Sequence, residues 1–165
     1  MKAGIKTLYS RALRLLARRS HSRFELRYKL KRKHPSTQVE ELLDHLEETG
    51  LIDDESFALE RALFRRQRRH WGNLRVSQDL KRAGIDARII DRVLEQVNQK
   101  RGEVDSLQEA ITLWVNKSGE PKFSSSLKKL YNYCVRLGYA SHMIRHQLEP
   151  YFEHISWSQE DENGL

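Results

Sequence analysis

The chain has 165 residues, a net charge of +7 and a pI of about 9.6, with 38% apolar and 32% charged residues. Its single cysteine, Cys134, excludes an internal disulfide and a four-cysteine zinc site. No apolar run approaches the roughly 18 residues that suggest a membrane span.

The stretch from Met1 to Arg19 has a signal peptide's basic residues, but Arg11, Arg14 and Arg18 break its apolar run. A cytoplasmic chain is the expectation. The same stretch carries Ile5, Leu8, Ala12, Leu15 and Leu16 at helical spacing. Ser22, with Glu25 three residues on, predicts a capping box opening a second helix that buries Leu26 and Leu30. Pro35 and Ser36 start a third, with Val39, Leu42, Leu43 and Leu46 inward and Gly50 past its end. Asp53 or Asp54 caps a fourth, with Phe57, Leu59, Ala62 and Phe64 as its apolar face. Gly72 and Asn73 break it. A fifth turns Val76 and Leu80 inward and ends at Gly84. Asp86 caps a sixth carrying Ile89, Ile90, Val93 and Val97. A seventh spans about 103–115, and Gly119, Pro121 and serines 124–126 predict a loop. An eighth holds Leu127, Leu130, Tyr131 and Val135 and ends at Gly138. Ser141 caps a ninth, with Ile144, Leu148 and Phe152 inward, before a tail expected to be disordered from residue 156.

These nine helices contain a repeat. Leu26, Leu30, Ser36, Val39 and Leu43 have the spacing of Val76, Leu80, Asp86, Ile89 and Val93, and again of Tyr131, Val135, Ser141, Ile144 and Leu148. Short amphipathic helices do not bury their faces alone, so each set predicts a three-helix bundle. The expected fold is all-α, with modules at 1–52, 53–100 and 101–155 forming an elongated, curved array.

Charge falls in blocks. Residues 1–34 hold twelve Lys or Arg against Glu25, residues 35–60 hold nine acids and no Lys or Arg, and residues 61–82 hold eight basic residues against Asp79. Six arginines lie within 61–75. The residues that most suggest binding are Arg61, Arg65, Arg66, Arg68, Arg69, His70 and Arg75. Of these, Arg61, Arg65, Arg68 and Arg69 are spaced along one helix face. Lys81 and Arg82 close this block, and Arg18 and Arg27 belong to a second, more diffuse basic surface that includes Arg11, Arg14, Lys31 and Arg32. The bland alternative is a solvated face paired with acids at 40–48, with Trp71 packed in an elbow between helices.

Catalytic patterns are missing from the sequence. It contains no phosphate-cradling glycine loop. Cys134 sits among Leu130, Tyr131 and Leu137, as a buried thiol would. His142 and His146 are four apart but lack a third ligand, and Asp53 and Asp54 stand where helix caps belong.

Three segments resemble the RecX family. Ser22, Glu25, Leu26 and Leu30 fit its Ser-x-x-Glu-Leu-x-x-x-Leu pattern. Residues 50–58, from Gly50 through Asp53, Asp54 and Phe57 to Ala58, are similar to its Gly-Tyr-Leu-Asp-Asp-x-x-Phe-Ala. The arginine-rich helix followed by Gly72, Arg75, Val76, Leu80, Gly84 and Ile85 is similar to a third run. Leu51, Asn73-Leu74 and the glycine-free turn at Lys33-His34-Pro35 depart from the pattern. The resemblance implies three tandem three-helix modules, no cofactor and no catalysis. It also implies binding along the groove of the RecA filament on single-stranded DNA, inhibiting its extension, ATP hydrolysis and strand exchange and so modulating recombination and the SOS response. Single-stranded DNA is then met directly or through the filament, by a monomer. A general nucleic-acid-binding module acting without RecA is the alternative, and an enzyme acting on nucleic acid is a third.

Overall fold

The computed structural model describes residues 3–152, with side chains from Thr7 onward. The Ile5 side chain and the tail from 156, both subjects of expectations, lie outside that description. Nine helices form among the described residues: α1 (Ala3–Leu16), α2 (Arg23–Lys31), α3 (Ser36–Glu48), α4 (Asp54–Arg69), α5 (Asn73–Arg82), α6 (Ala87–Lys100), α7 (Glu103–Ser118), α8 (Ser124–Leu137) and α9 (Ser141–Phe152). No strand forms there, and no helix is long and apolar enough to cross a membrane.

Local chemistry sets most helix ends. Ser22 caps α2, its Oγ accepting the Glu25 N–H at 3.0 Å. The reciprocal half of the predicted box is not made, because the Glu25 carboxylate accepts from Arg19 at 2.7 Å. Asp53 caps α4 through the N–H groups of Glu55 (2.8 Å) and Ser56 (3.2 Å). Asp54 accepts the Arg23 N–H at 2.7 Å, and burial raises its acid above the ordinary range. Asp86 accepts the Arg88 N–H at 2.9 Å. Pro35 and Ser36 start α3 as expected, at its N-cap and first residue. Two expectations are corrected. Ser141 is the first residue of α9, not its cap. Serines 124–126 form the first turn of α8, not a loop.

By contact, the chain gathers into two compact units. One comprises the residues up to Ala62 with Gln78–Gln96, and the other Leu63–Ser77 with the residues from Val97 on. In the first, α1, α2 and α3 pack mutually around Leu8, Ala12, Leu26, Leu30, Val39, Leu43 and Leu46. In the second, α7, α8 and α9 do so around Leu107, Ala110, Leu130, Cys134, Ile144 and Leu148. Burial pushes the Cys134 thiol up to about 12, so it is a core group with no thiolate at neutral pH.

Two residues expected inward face water: Phe64 is 52% exposed and Val135 44%. For α8 the buried pair is Leu130 and Cys134, one residue earlier than Tyr131 and Val135. The turn into α9 (Gly138-Tyr139-Ala140) has the same length as that into α6 (Gly84-Ile85-Asp86), so the third unit slips by one against the expected register and follows the second by 54 residues rather than 55. With that slip, Leu80 and Cys134 are equivalent, and their carbonyls accept the N–H of Ile85 at 3.1 Å and of Tyr139 at 3.4 Å. The start of a helix docks on each turn in the same way. Ser22 Oγ donates to the Ala83 carbonyl at 2.6 Å, and the N–H of Gly72, the repeat equivalent of Ser22, donates to the Leu137 carbonyl at 2.8 Å.

His21, buried beside Ser22, holds one tautomer. Its Nδ1–H donates to the Arg19 carbonyl at 2.9 Å, and Nε2 accepts from the Lys29 ammonium at 2.9 Å. Burial first, and then the neighbouring Arg19 and Lys29 charges, lower its pKa, against the Arg19 hydrogen bond and Glu25, which raise it. Protonation would discard the Lys29 bond and set two cations together. The unfolded chain, with an imidazole near 6.5, therefore takes up the proton first. Stability is expected to fall as pH drops through about 6.5 and to stop falling, for this group, below the folded pKa. Urea midpoints across this range check it: His21→Gln flattens the slope, whereas an unchanged slope places the titration elsewhere.

Candidate functional site

On α4, Ala58 and Ala62 are buried, and the residue four further along is Arg66. Its guanidinium is 0% exposed. Nη2 donates to the Asn73 and Asn98 side-chain oxygens, the latter at 3.1 Å. Asn73 in turn donates its N–H (2.6 Å) and Nδ2–H (2.5 Å) to Glu103. Burial holds the Arg66 pKa below its usual value, partly offset by Glu103 and the Tyr139 phenol, while Nε and Nη1 lack a well-formed hydrogen bond. Tyr139 donates to the His70 carbonyl at 2.8 Å. The expectation that Arg66 and His70 belong to a binding face is therefore corrected for Arg66: it is an interior cation. The missed signal was legible, since positions 58, 62 and 66 continue one buried stripe.

The other arginines divide. Arg61 grips Asp79 with two hydrogen bonds (2.7 and 3.0 Å) and lies 3.6 Å from Glu25. The Asp79 bonds raise its pKa. It is a structural anchor, one-quarter exposed. Arg65 and Arg75 stack on Trp71, at 4.6 and 4.2 Å from the ring centroid, and Arg75 also donates to the Arg136 carbonyl at 2.6 Å. Trp71 packs on the apolar cluster of α7–α9, so its ring is occupied. Arg68 and Arg69 are exposed at the end of α4, with no partner among the described residues.

Elsewhere, Lys81, Arg82 and Arg18 are exposed and form no ion pair with a described residue. Arg27 is committed to Glu40 at 2.9 Å, a carboxylate shared with Lys31 (3.1 Å) and Arg23 (3.4 Å), and Arg27 above all lowers its pKa. Arg23 also pairs with Asp44 (2.6 Å) and Glu47 (2.5 Å). Three acids of α3, Glu40, Asp44 and Glu47, are thus taken by cations of α2, while Arg68 and Arg69 have no carboxylate partner among the described residues. Sequence reasoning also passed over Phe24 and Tyr28. Because Leu26 and Leu30 take the buried face of α2, these two rings, one turn apart, are turned outward. Among the described residues, no three His, Cys, Asp or Glu gather as a metal site.

Comparison with known proteins gives this geometry its context. Residues 9–46 match the first three-helix domain of RecX and residues 53–94 the second. A regulatory protein RecX from Chlorobium phaeobacteroides is 32% identical over 148 residues, covering 89% of this chain and 95% of the relative. The chain belongs to the RecX family. A regulatory protein RecX from Halorhodospira halophila is 34% identical and covers 87% of both chains. The crystal structure of RecX from Lactobacillus salivarius superposes with a TM-score of 0.79 at 18% identity, over 93% of this chain and 99% of that one. That likeness shows the shared all-α fold, and the family is one of regulatory proteins.

Proposed function

We propose that the chain regulates RecA by docking on its filament with single-stranded DNA and restraining extension, ATP hydrolysis and strand exchange. The observation that carries this reading is similarity to regulatory RecX proteins along nearly nine-tenths of the chain. Arg68, Arg69, Lys81, Arg82 and Arg18, exposed and without an ion-pair partner among the described residues, supply charge for an acidic polymer. The proposed regulator is a cytoplasmic monomer without a catalytic step or cofactor, built of helix triplets at 1–52, 53–100 and 101–155. Within it, Arg61, Arg65, Arg75 and Arg27 shape the surface through their anchored contacts.

DNA-dependent RecA ATPase activity tests the proposal. The chain is expected to inhibit at near-stoichiometric ratios. The double variant Arg68→Ala/Arg69→Ala, with both side chains in water, is expected to fold normally and inhibit several-fold more weakly, with the wild-type effect fading as salt rises. No inhibition at any ratio would sink the reading. Tight binding to naked DNA without a filament effect would favour the general nucleic-acid-binding module.

A further inference from the structure

Phe24 and Tyr28 form the largest aromatic exposure on α2, at 46% and 68%. Both lie within the first compact unit. A Cβ added to Gly84, just past the end of α5, would meet the Phe24 ring, with Cδ1 at 2.8 Å. The last turn of α5, which carries Lys81 and Arg82, therefore ends against Phe24. Arg32 follows α2 directly. Lys81, Arg82 and Arg32 are exposed, and none pairs with a described carboxylate. Acids on the same and adjoining elements are engaged elsewhere: Glu25 with Arg19, Glu40 with Arg27 and Lys31, Asp79 with Arg61, and Asp86 with the start of α6.

We infer that the face formed by Phe24, Tyr28, Arg32, Lys81 and Arg82 binds single-stranded nucleic acid, with the two rings stacking on bases and the three cations tracking phosphates. Flat π faces beside unpaired cations suit an unpaired strand, because its bases can splay onto a ring while its backbone stays against the charge. Duplex DNA offers only phosphates and base edges to such a face. A protein partner is the competing occupant. Three exposed cations on elements that meet at Phe24, without an ion-pair partner among the described residues, favour a polyanion that also carries aromatic surface. The inference stands apart from filament regulation, since it concerns naked strands.

Binding of the full-length chain to labelled oligothymidylate, to an abasic deoxyribose-phosphate strand of equal length and to duplex DNA tests it by fluorescence anisotropy. The wild type is expected to prefer oligothymidylate to both others. Tyr28→Ala is expected to weaken oligothymidylate binding about tenfold and leave abasic binding unchanged, and Tyr28→Phe to restore it. Lys81→Ala/Arg82→Ala is expected to weaken both single strands. Tyr28 is exposed enough for its variants to fold, which circular dichroism checks, whereas Phe24 packs on Gly84. Equal binding of the base-bearing and abasic strands by the wild type overturns the proposal. So does Tyr28→Ala keeping full affinity for oligothymidylate, and if it then loses affinity only for the RecA filament, the face is a protein dock. Absence of ATPase inhibition, with base-dependent binding intact, would sink filament regulation and leave this site standing.

Discussion

Gly138→Ala is expected to lower the unfolding midpoint by about 8 °C, whereas Gly50→Ala lowers it by about 3 °C. Both glycines end helices with positive φ, +89° at Gly138 and +69° at Gly50, so alanine pays a left-handed backbone cost of roughly 1–2 kcal/mol at either. Their surroundings separate them. A Cβ on Gly50 meets nothing within 4 Å, but one on Gly138 lies 2.5 Å from the Arg75 nitrogen and 3.0 Å from its Cα. Helix backbone does not swing aside as the end of a long side chain does, and overpacking adds roughly 1–3 kcal/mol. Gly72 approaches the same turn from the other side, its added Cβ falling 2.6 Å from the Gly138 carbonyl carbon and 2.8 Å from the Tyr139 nitrogen. Calorimetric scans of both variants measure the difference. Equal midpoints would mean that α5 can lift off the turn without loss, against the hydrogen bond from Gly72 to Leu137.

Replacing Arg66 by alanine is expected to cost about 4 kcal/mol, the scale for removing one member of a buried charged network. Replacing Arg68 costs no more than about 0.5 kcal/mol. The two arginines are two residues apart and chemically identical, so the contrast isolates burial. Without the guanidinium, the Asn73 and Asn98 oxygens lose a donor, Glu103 loses its nearby positive charge, and the side-chain volume is left empty in an interior with no water contact. Arg66→Met fills the volume and removes the burial penalty on the charge. It is expected to be milder than alanine, yet short of wild type, because the asparagine hydrogen bonds are not replaced. Urea midpoints at constant m-value report all three. An alanine variant at 66 as mild as that at 68 would show that the interior network contributes nothing net.

Much of the helical plan was legible because it is local. A buried stripe repeats every three or four residues, a side-chain oxygen caps the N–H groups two or three residues on, and Gly50, Gly84 and Gly138 stop helices where φ turns positive. Leu26, Leu30, Val76, Leu80, Ile144 and Leu148 are all buried where periodicity put them. The third repeat slipped by one residue because Tyr131 and Val135 match the spacing as well as Leu130 and Cys134 do, and only the packed core tells them apart. The arginines show the other limit. Spacing alone put Arg61, Arg65, Arg68 and Arg69 on one helix face, but charge on a face says nothing about what lies opposite. Tertiary structure brought Asp79 to Arg61, Trp71 to Arg65 and Arg75, and Asn98 to Arg66, leaving Arg68 and Arg69 in water. A helix is decided by neighbours along the chain, whereas the availability of a cation is decided by groups up to dozens of residues away, whose approach no local pattern encodes.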